Sequence, residues 1–167
     1  MLQNDFIAIA FKAAEDAVKR GAPINPAIAA AQAALESNYG NSRLATVGNN
    51  LFGIKAGSAW KGEVVTFQTK EFDDEKGMYT TSAAFKKYTS WAHCFEDYGA
   101  IIGRLSWYKD AAAAKSDPVG FILGLAAKPG VEPGWATDPR YVEKVLAVAK
   151  KFNLISSTAQ APDGKRV

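Results

Sequence analysis

The run from Pro26 to Leu35 carries no charge, and Gln32 is its one polar side chain; most of its other residues are alanine. A helix built from this run has no water-facing stripe, so it must be enclosed by other elements, and its small side chains let those neighbours approach closely. Asn25-Pro26 marks the start. Asn25 is a strong N-cap, and Pro26 suits the first helical position, where its missing N–H is not needed and its φ is already helical. The helix is expected to run to about Ser37, as the central element of a layered helical fold.

Glu36 follows the apolar run at once. On the last turn of a helix the partial negative charge of the terminus disfavours a carboxylate by roughly a few tenths of a kcal/mol. Burial raises a carboxyl pKa as well. A glutamate that keeps its proton near neutral pH is suited to general acid catalysis. The alternative is a structural ion pair, for instance with Arg43, and on physical grounds alone ion pairs account for many perturbed carboxylates.

Around this helix the chain reads as α+β and mainly α. A first helix is predicted over Gln3 to Arg20, with Phe6, Ile9, Ala10, Ala13 and Val18 at helical spacing and Gly21-Ala22-Pro23 closing it. Residues 38 to 61, rich in Gly and Asn, read as a long functional loop. Val64 to Phe72 alternates as a strand, with Val65, Phe67, Thr69 and Glu71 on one face. Asp73 to Gly77 reads as a polar turn and Met78 to Tyr88 as the returning strand. This hairpin lobe, about 60–88, is too small to stand alone and must pack on the helical body. Ser90 caps a helix to about Arg104, and shorter helices follow near Tyr108 to Ala114 and Pro118 to Ala126. After the KPGVEPGW loop, Asp138-Pro139 is expected to start a last helix ending near Phe152, with Tyr141, Val145 and Val148 toward the core. Residues 1–155 would form one domain and 156–167 a flexible tail.

Composition excludes several classes. With 48% hydrophobic and 22% charged residues, the chain of 167 residues is an ordinary globular one, long enough to bury its own core. No apolar run reaches the roughly 20 residues that span a bilayer, so no stable membrane insertion is expected. The net charge of +3 comes from scattered lysines, a poor footprint for nucleic acid. The N-terminus reads as an amphipathic helix, not a signal peptide. Cys94 is single, so no internal disulfide forms. His93 and Cys94, adjacent on a helix, point in different directions and make a poor nucleophile pair. One histidine and one cysteine argue against a zinc site, and no phosphate-binding loop is present, so neither a metal nor a cofactor is expected.

A second carboxylate, Glu71, sits at the end of the first strand; Asp73, Asp74 and Glu75 beside it read as solvated turn residues. Two carboxylates from different elements suit glycosidic cleavage, one protonating the leaving oxygen and one assisting attack at the sugar carbon. Sugar rings stack on aromatic planes, and Tyr39, Phe52, Trp60, Tyr88, Trp91, Tyr108 and Trp135 are candidates, with Phe52 and Trp91 the ones best read as core.

The segments ALESNYG, NNLFGIKAGSAWKG, TKEF, AFKKYTSW and WATDPRYVEKV, in that order, resemble the glycoside hydrolase family 73 N-acetylglucosaminidases over roughly residues 5 to 153. The resemblance implies a lysozyme-like helical lobe with an inserted β-hairpin lobe, and a cleft between them for peptidoglycan glycan strands. It implies hydrolysis of the β-1,4 bond between N-acetylglucosamine and N-acetylmuramic acid; a monomer is expected. Glu36 matches the general acid and Glu71 the second glutamate, acting as a base, as a partner to the N-acetyl group, or in binding. Ser37, Tyr39, Asn50, Phe52, Lys55, Trp60, Tyr88, Tyr108 and Trp135 are the candidate substrate contacts. The chain departs from the family pattern in having Tyr39 where tryptophan is frequent and Trp135 where tyrosine is frequent. Trp135 has no hydroxyl, which leaves Tyr108 and Tyr88 as candidates to supply one. A free-standing domain of this kind resembles a bacteriophage endolysin, held in the host cytoplasm and released onto the wall. Two alternatives stand beside this reading: a muramidase or lytic transglycosylase on the same glycan, and a non-catalytic glycan-binding or tail-structural domain.

Overall fold

A computed structural model of the chain describes residues 1–73, 77–126, 134–136 and 138–161, with the backbone alone at 69–73 and 77–81. In chain order the elements are α1 (Gln3–Lys19), α2 (Pro26–Ser37), α3 (Arg43–Gly48), β1 (Val64–Asp73), β2 (Gly77–Lys86), α4 (Trp91–Arg104), a single 3-10 turn (Ser106–Tyr108), α5 (Lys109–Ala113), α6 (Pro118–Leu125) and α7 (Tyr141–Lys151). α2 begins as its sequence dictates. Asn25 Oδ1 accepts from the Ile28 N–H at 3.1 Å, while its Nδ2 donates to the Lys115 carbonyl at 2.9 Å, tying the cap to the segment before α6. Ile28, Ala29, Ala30, Ala31, Ala33 and Ala34 are fully buried. α1, α6 and α7 pack around them, which gives the enclosed central helix that the uncharged run requires.

The end of α2 is held more tightly than an ordinary helix terminus. Asn38, Tyr39 and Gly40 all have left-handed φ values of 50°, 53° and 74°. Each non-glycine residue there costs on the order of 1 kcal/mol, so the turn persists only because its surroundings enforce it. The Tyr39 N–H donates to the Ala34 carbonyl and the Ser42 N–H to the Ser37 carbonyl, both at 2.8 Å. Ser37 Oγ donates to the Ala33 carbonyl at 2.6 Å and accepts from the Gly40 N–H at 2.8 Å. A Cβ on Gly40 would lie 2.9 Å from the Phe6 ring, so only glycine closes this turn. The chain is thus reversed, and fixed, directly after Glu36.

β1 and β2 pair antiparallel from Val64 opposite Lys86 to Asp73 opposite Gly77. Val65 and Phe67 are half-buried while Val64, Thr66 and Gln68 are exposed, as the alternation of the sequence requires. Residues 74–76 of the expected turn lie outside the described residues. β2 ends at Lys86 and not at Tyr88, because the Tyr88 N–H turns to the Gly48 carbonyl at 2.8 Å.

Two boundaries differ from expectation in the helical body. The stretch 38 to 61 contains α3, capped by Ser42 Oγ accepting from the Ala45 N–H at 3.2 Å. Six residues flanked by glycine and asparagine carry too little periodicity to announce a helix. α7 starts at Tyr141, because Asp138 makes a turn: its Oδ1 accepts from the Arg140 N–H and its carbonyl from the Tyr141 N–H, both at 2.9 Å. Residue 127, residues 128–133 of the KPGVEPGW loop and 162–167 of the tail lie outside the described residues, while 156–161 include a turn closed by the Ala159 N–H on the Ser156 carbonyl at 3.1 Å. Among the described residues no helix is long and apolar enough to cross a membrane.

Candidate active site

Glu36 occupies the last turn of α2 and is exposed to solvent on one side. The protein packed behind its carboxyl nevertheless raises its pKa, burial being the larger influence. The opposing influence comes from α7, where the Tyr141 hydroxyl donates to Glu36 Oε1 at 2.9 Å. Arg43, the ion-pair partner considered from sequence, lies with its guanidinium 5.2 Å from the centre of the Phe67 ring.

Tyr141 is only 5% exposed, and burial, followed by the charge of Glu36, pushes its phenol far above the usual range. It therefore remains an O–H donor at any working pH. Gln32, one helical turn before Glu36 and fully buried, accepts from the Tyr98 hydroxyl at 2.6 Å. Tyr98 of α4 is stacked on Phe52 at 4.2 Å and meets the edge of Trp135 at 5.0 Å. Tyr108 lies 5.9 Å from Trp135. Trp135 is half-buried, so part of an indole surface remains accessible in the same aromatic group that holds Gln32.

Other sequence candidates fall elsewhere. Tyr39, half-buried, packs on Phe6 and Phe152, with the Lys151 ammonium 5.9 Å from its ring centre. Trp60, half-buried, donates Nε1–H to the Glu63 carbonyl at 2.9 Å and has the Lys86 ammonium 4.6 Å from its ring centre. Lys55 is exposed and bridges to Phe85. Glu71 is paired opposite Tyr79 in the backbone register, and its side chain lies outside the described residues.

Four candidates for substrate contact are frame residues. Ser37, 1% exposed, is spent on the helix-end turn. Phe52, 3% exposed, lies between Phe95 and Tyr98. Tyr88 is buried and donates to Asp97 Oδ2 at 2.6 Å, beside the Lys86 ammonium on the same oxygen at 2.8 Å. Asn50, 1% exposed, donates to the Ile54 and Lys86 carbonyls at 2.9 and 2.8 Å and accepts from the Ile54 N–H at 3.0 Å, pinning the hairpin root to the helical body. Tyr108 is also largely buried, with its phenol pKa raised by that burial. Asn50→Ala would remove three hydrogen bonds to the backbone, leaving the Ile54 N–H without its acceptor while the Ile54 carbonyl keeps the Lys86 N–H, and is expected to cost about 2–3 kcal/mol in denaturant unfolding. KM should stay near wild type; a raised KM with unchanged stability would return Asn50 to the substrate surface. Cys94 is buried and accepts the Leu51 N–H at 3.4 Å; burial pushes its thiol up to about 12, so it is no nucleophile at neutral pH.

The chain matches the Glucosaminidase family, described as mannosyl-glycoprotein endo-beta-N-acetylglucosaminidase, over residues 12–154. It belongs to that family. The peptidoglycan hydrolase FlgJ of Vibrio parahaemolyticus is 38% identical over 132 residues, covering 77% of this chain and 41% of FlgJ. The exo-glucosaminidase LytG of Bacillus subtilis is 37% identical over 130 residues, covering 77% of this chain and 44% of LytG. The chain thus spans less than half the length of these curated relatives. Among solved structures, the catalytic domain of the autolysin Auto from Listeria monocytogenes matches with a TM-score of 0.76 and 33% identity, covering 91% of this chain and 85% of that domain. The expected lysozyme-like glucosaminidase fold, helical with a small two-stranded sheet, is the one observed.

In this Glucosaminidase chain the site residues that sequence reasoning passes over are Tyr141 and Gln32. Tyr141 ends the ATDPRY segment and shares the helical spacing of Val145 and Val148, so its ring reads as core. The ring is core; the hydroxyl is the part that reaches the site. A tyrosine on an otherwise apolar face signals this, because its O–H requires a partner. Gln32 gives a similar signal as the lone polar side chain of its run.

Proposed function

We propose that this chain is a peptidoglycan hydrolase, an endo-β-N-acetylglucosaminidase that cleaves the β-1,4 bond between N-acetylglucosamine and N-acetylmuramic acid, with residues 1–155 as its catalytic unit. One observation carries this reading: a solvent-reachable carboxyl with a raised pKa, Glu36, held by Tyr141 at the end of a buried helix. The names of the relatives FlgJ and LytG point to the same glycan chemistry.

In this proposal Glu36 is the general acid. Burial favours its protonated form before transfer, and the Tyr141 O–H favours the carboxylate left after the proton has moved to the glycosidic oxygen. The two influences hold the acid between a group that never ionises and one that never holds its proton. Glu71 is the second carboxylate, assisting attack at the sugar carbon as the leaving group departs. Trp135, edge-on to Tyr98, offers a partly open indole for an apolar sugar face.

Mass spectrometry of digested peptidoglycan tests the bond and the activity together. Products with reducing-end N-acetylglucosamine are expected. Reducing-end N-acetylmuramic acid would mean a muramidase, an anhydro-muramic end a transglycosylase, and an intact wall a non-catalytic domain.

A further inference from the structure

Gln32 is a poor choice for the place it holds. It sits fully buried in a helix that is otherwise apolar, and its amide nitrogen is a buried donor without a hydrogen-bond partner among the described residues. Buried unsatisfied donors are uncommon in native proteins and unfavourable, so an apolar side chain of similar length would stabilise α2 better. Its oxygen is engaged: the Tyr98 hydroxyl donates to it at 2.6 Å. With the oxygen turned to α4, the NH2 group is turned away from Tyr98. The polar group that α7 brings against this part of α2 is the Tyr141 hydroxyl. Tyr141 in turn donates to Glu36, which stands one turn beyond Gln32 on the same face of α2.

We propose that Gln32 and Tyr98 are positioning residues for the Tyr141–Glu36 pair: Tyr98 fixes the orientation of the Gln32 amide, the amide offers its N–H to the Tyr141 oxygen, and the Tyr141 proton is thereby committed to Glu36. A phenol oxygen that faces a donor cannot spend its own proton in that direction, and polarisation along the row strengthens the last bond. The row crosses three elements, α4, α2 and α7, so the acid is tuned by the packing of the helical body as a whole. The effect on turnover rests on Glu36 being the acid of the proposed reaction; the effect on the Tyr141–Glu36 pair does not. Tyr98 of α4, Tyr108 of the 3-10 turn and Tyr141 of α7 are the titratable groups acting within this cluster. α6 carries no ionisable residue, and α1 keeps Lys12, Asp16 and Lys19 paired on its own surface.

The test is direct titration of the Glu36 carboxyl by carbon-13 NMR in the full chain, with Glu36→Gln locating its resonance, beside pH profiles of wall digestion. Tyr141→Phe removes a bond that favours the carboxylate and should move the Glu36 titration upward. Gln32→Met and Tyr98→Phe, each close in volume to the original, should move it upward by less, and neither should add to the shift in a Tyr141→Phe background. kcat should fall severalfold in both, KM should hold, and the alkaline limb of kcat should follow the titration. If both variants fold and leave the Glu36 titration in place, or shift it equally in the Tyr141→Phe background, the positioning role is refuted. Should Gln32→Met fail to fold, Tyr98→Phe decides alone. A titration that shifts while the alkaline limb stays put supports the positioning role and rejects Glu36 as the acid.

Discussion

Glu36→Gln is expected to lower turnover by about 10²–10⁴-fold, the range for loss of a general acid, while raising rather than lowering the thermal midpoint at neutral pH. The two expectations have one cause. Burial raises the Glu36 pKa above that of the unfolded chain. Between the unfolded and folded values the native state binds the extra proton, so stability falls as pH rises through that window. Above the folded pKa the wild type holds an unfavourable ionised group, whereas glutamine stays neutral and still accepts from Tyr141. The gain of the variant should therefore be present at neutral pH and vanish below the unfolded pKa. It should be small, because Glu36 is open to water on one side. Calorimetry across pH, beside a turbidity assay on exposed walls, reads both effects. Wild-type lysis by Glu36→Gln removes the acid assignment; lost lysis with a lowered midpoint makes Glu36 a structural residue.

Much of this site is legible in the amino-acid sequence, for a physical reason. An uncharged alanine-rich run has one stable environment, so α2 follows from residues 26 to 35, and the first charge after it stands out. Asn25 and Ser90 cap the helices predicted to start beside them, because capping depends on a few adjacent atoms. Strand alternation likewise places Val65 and Phe67 inward, since a one-residue slip would expose both.

Polar side chains that bond to the fold are harder to read, above all where the partner is distant in sequence. Asn50, Ser37 and Tyr88 have the residue types that grip a sugar, yet each spends its hydrogen bonds on the fold. Sequence does not distinguish a polar group that satisfies the fold from one that faces a ligand when, as for Asn50 and Lys86, the deciding partner lies tens of residues away. The Tyr141–Glu36 hydrogen bond spans 105 residues and hides for the same reason. Phe52 is the converse case: although it stands in a loop of glycine and asparagine, its large ring is best read as core from the sequence, and it is stacked there on Tyr98.

Glu71→Gln is expected to reduce kcat by roughly 10–10³-fold with KM near wild type, the pattern of a group that acts only in the transition state. Its backbone position motivates this. Arg43 of α3 lies over Phe67, and a Cβ on Gly48 would meet Val65 Cγ2 at 3.1 Å, so the face of β1 that carries Val65 and Phe67 is the one turned toward the helical body. By alternation Glu71 belongs to the same face, about 13 Å along the strand from Phe67 at roughly 3.3 Å per residue. Thr66 and Gln68, on the other face, are exposed. This backbone register motivates the test of Glu71, whereas Gln68, of opposite parity, is expected to tolerate Gln68→Ala without loss of turnover. Steady-state kinetics on a defined soluble glycan separates the outcomes. Raised KM with kcat retained would make Glu71 a binding residue, and wild-type kinetics in Glu71→Gln would remove it from the site altogether.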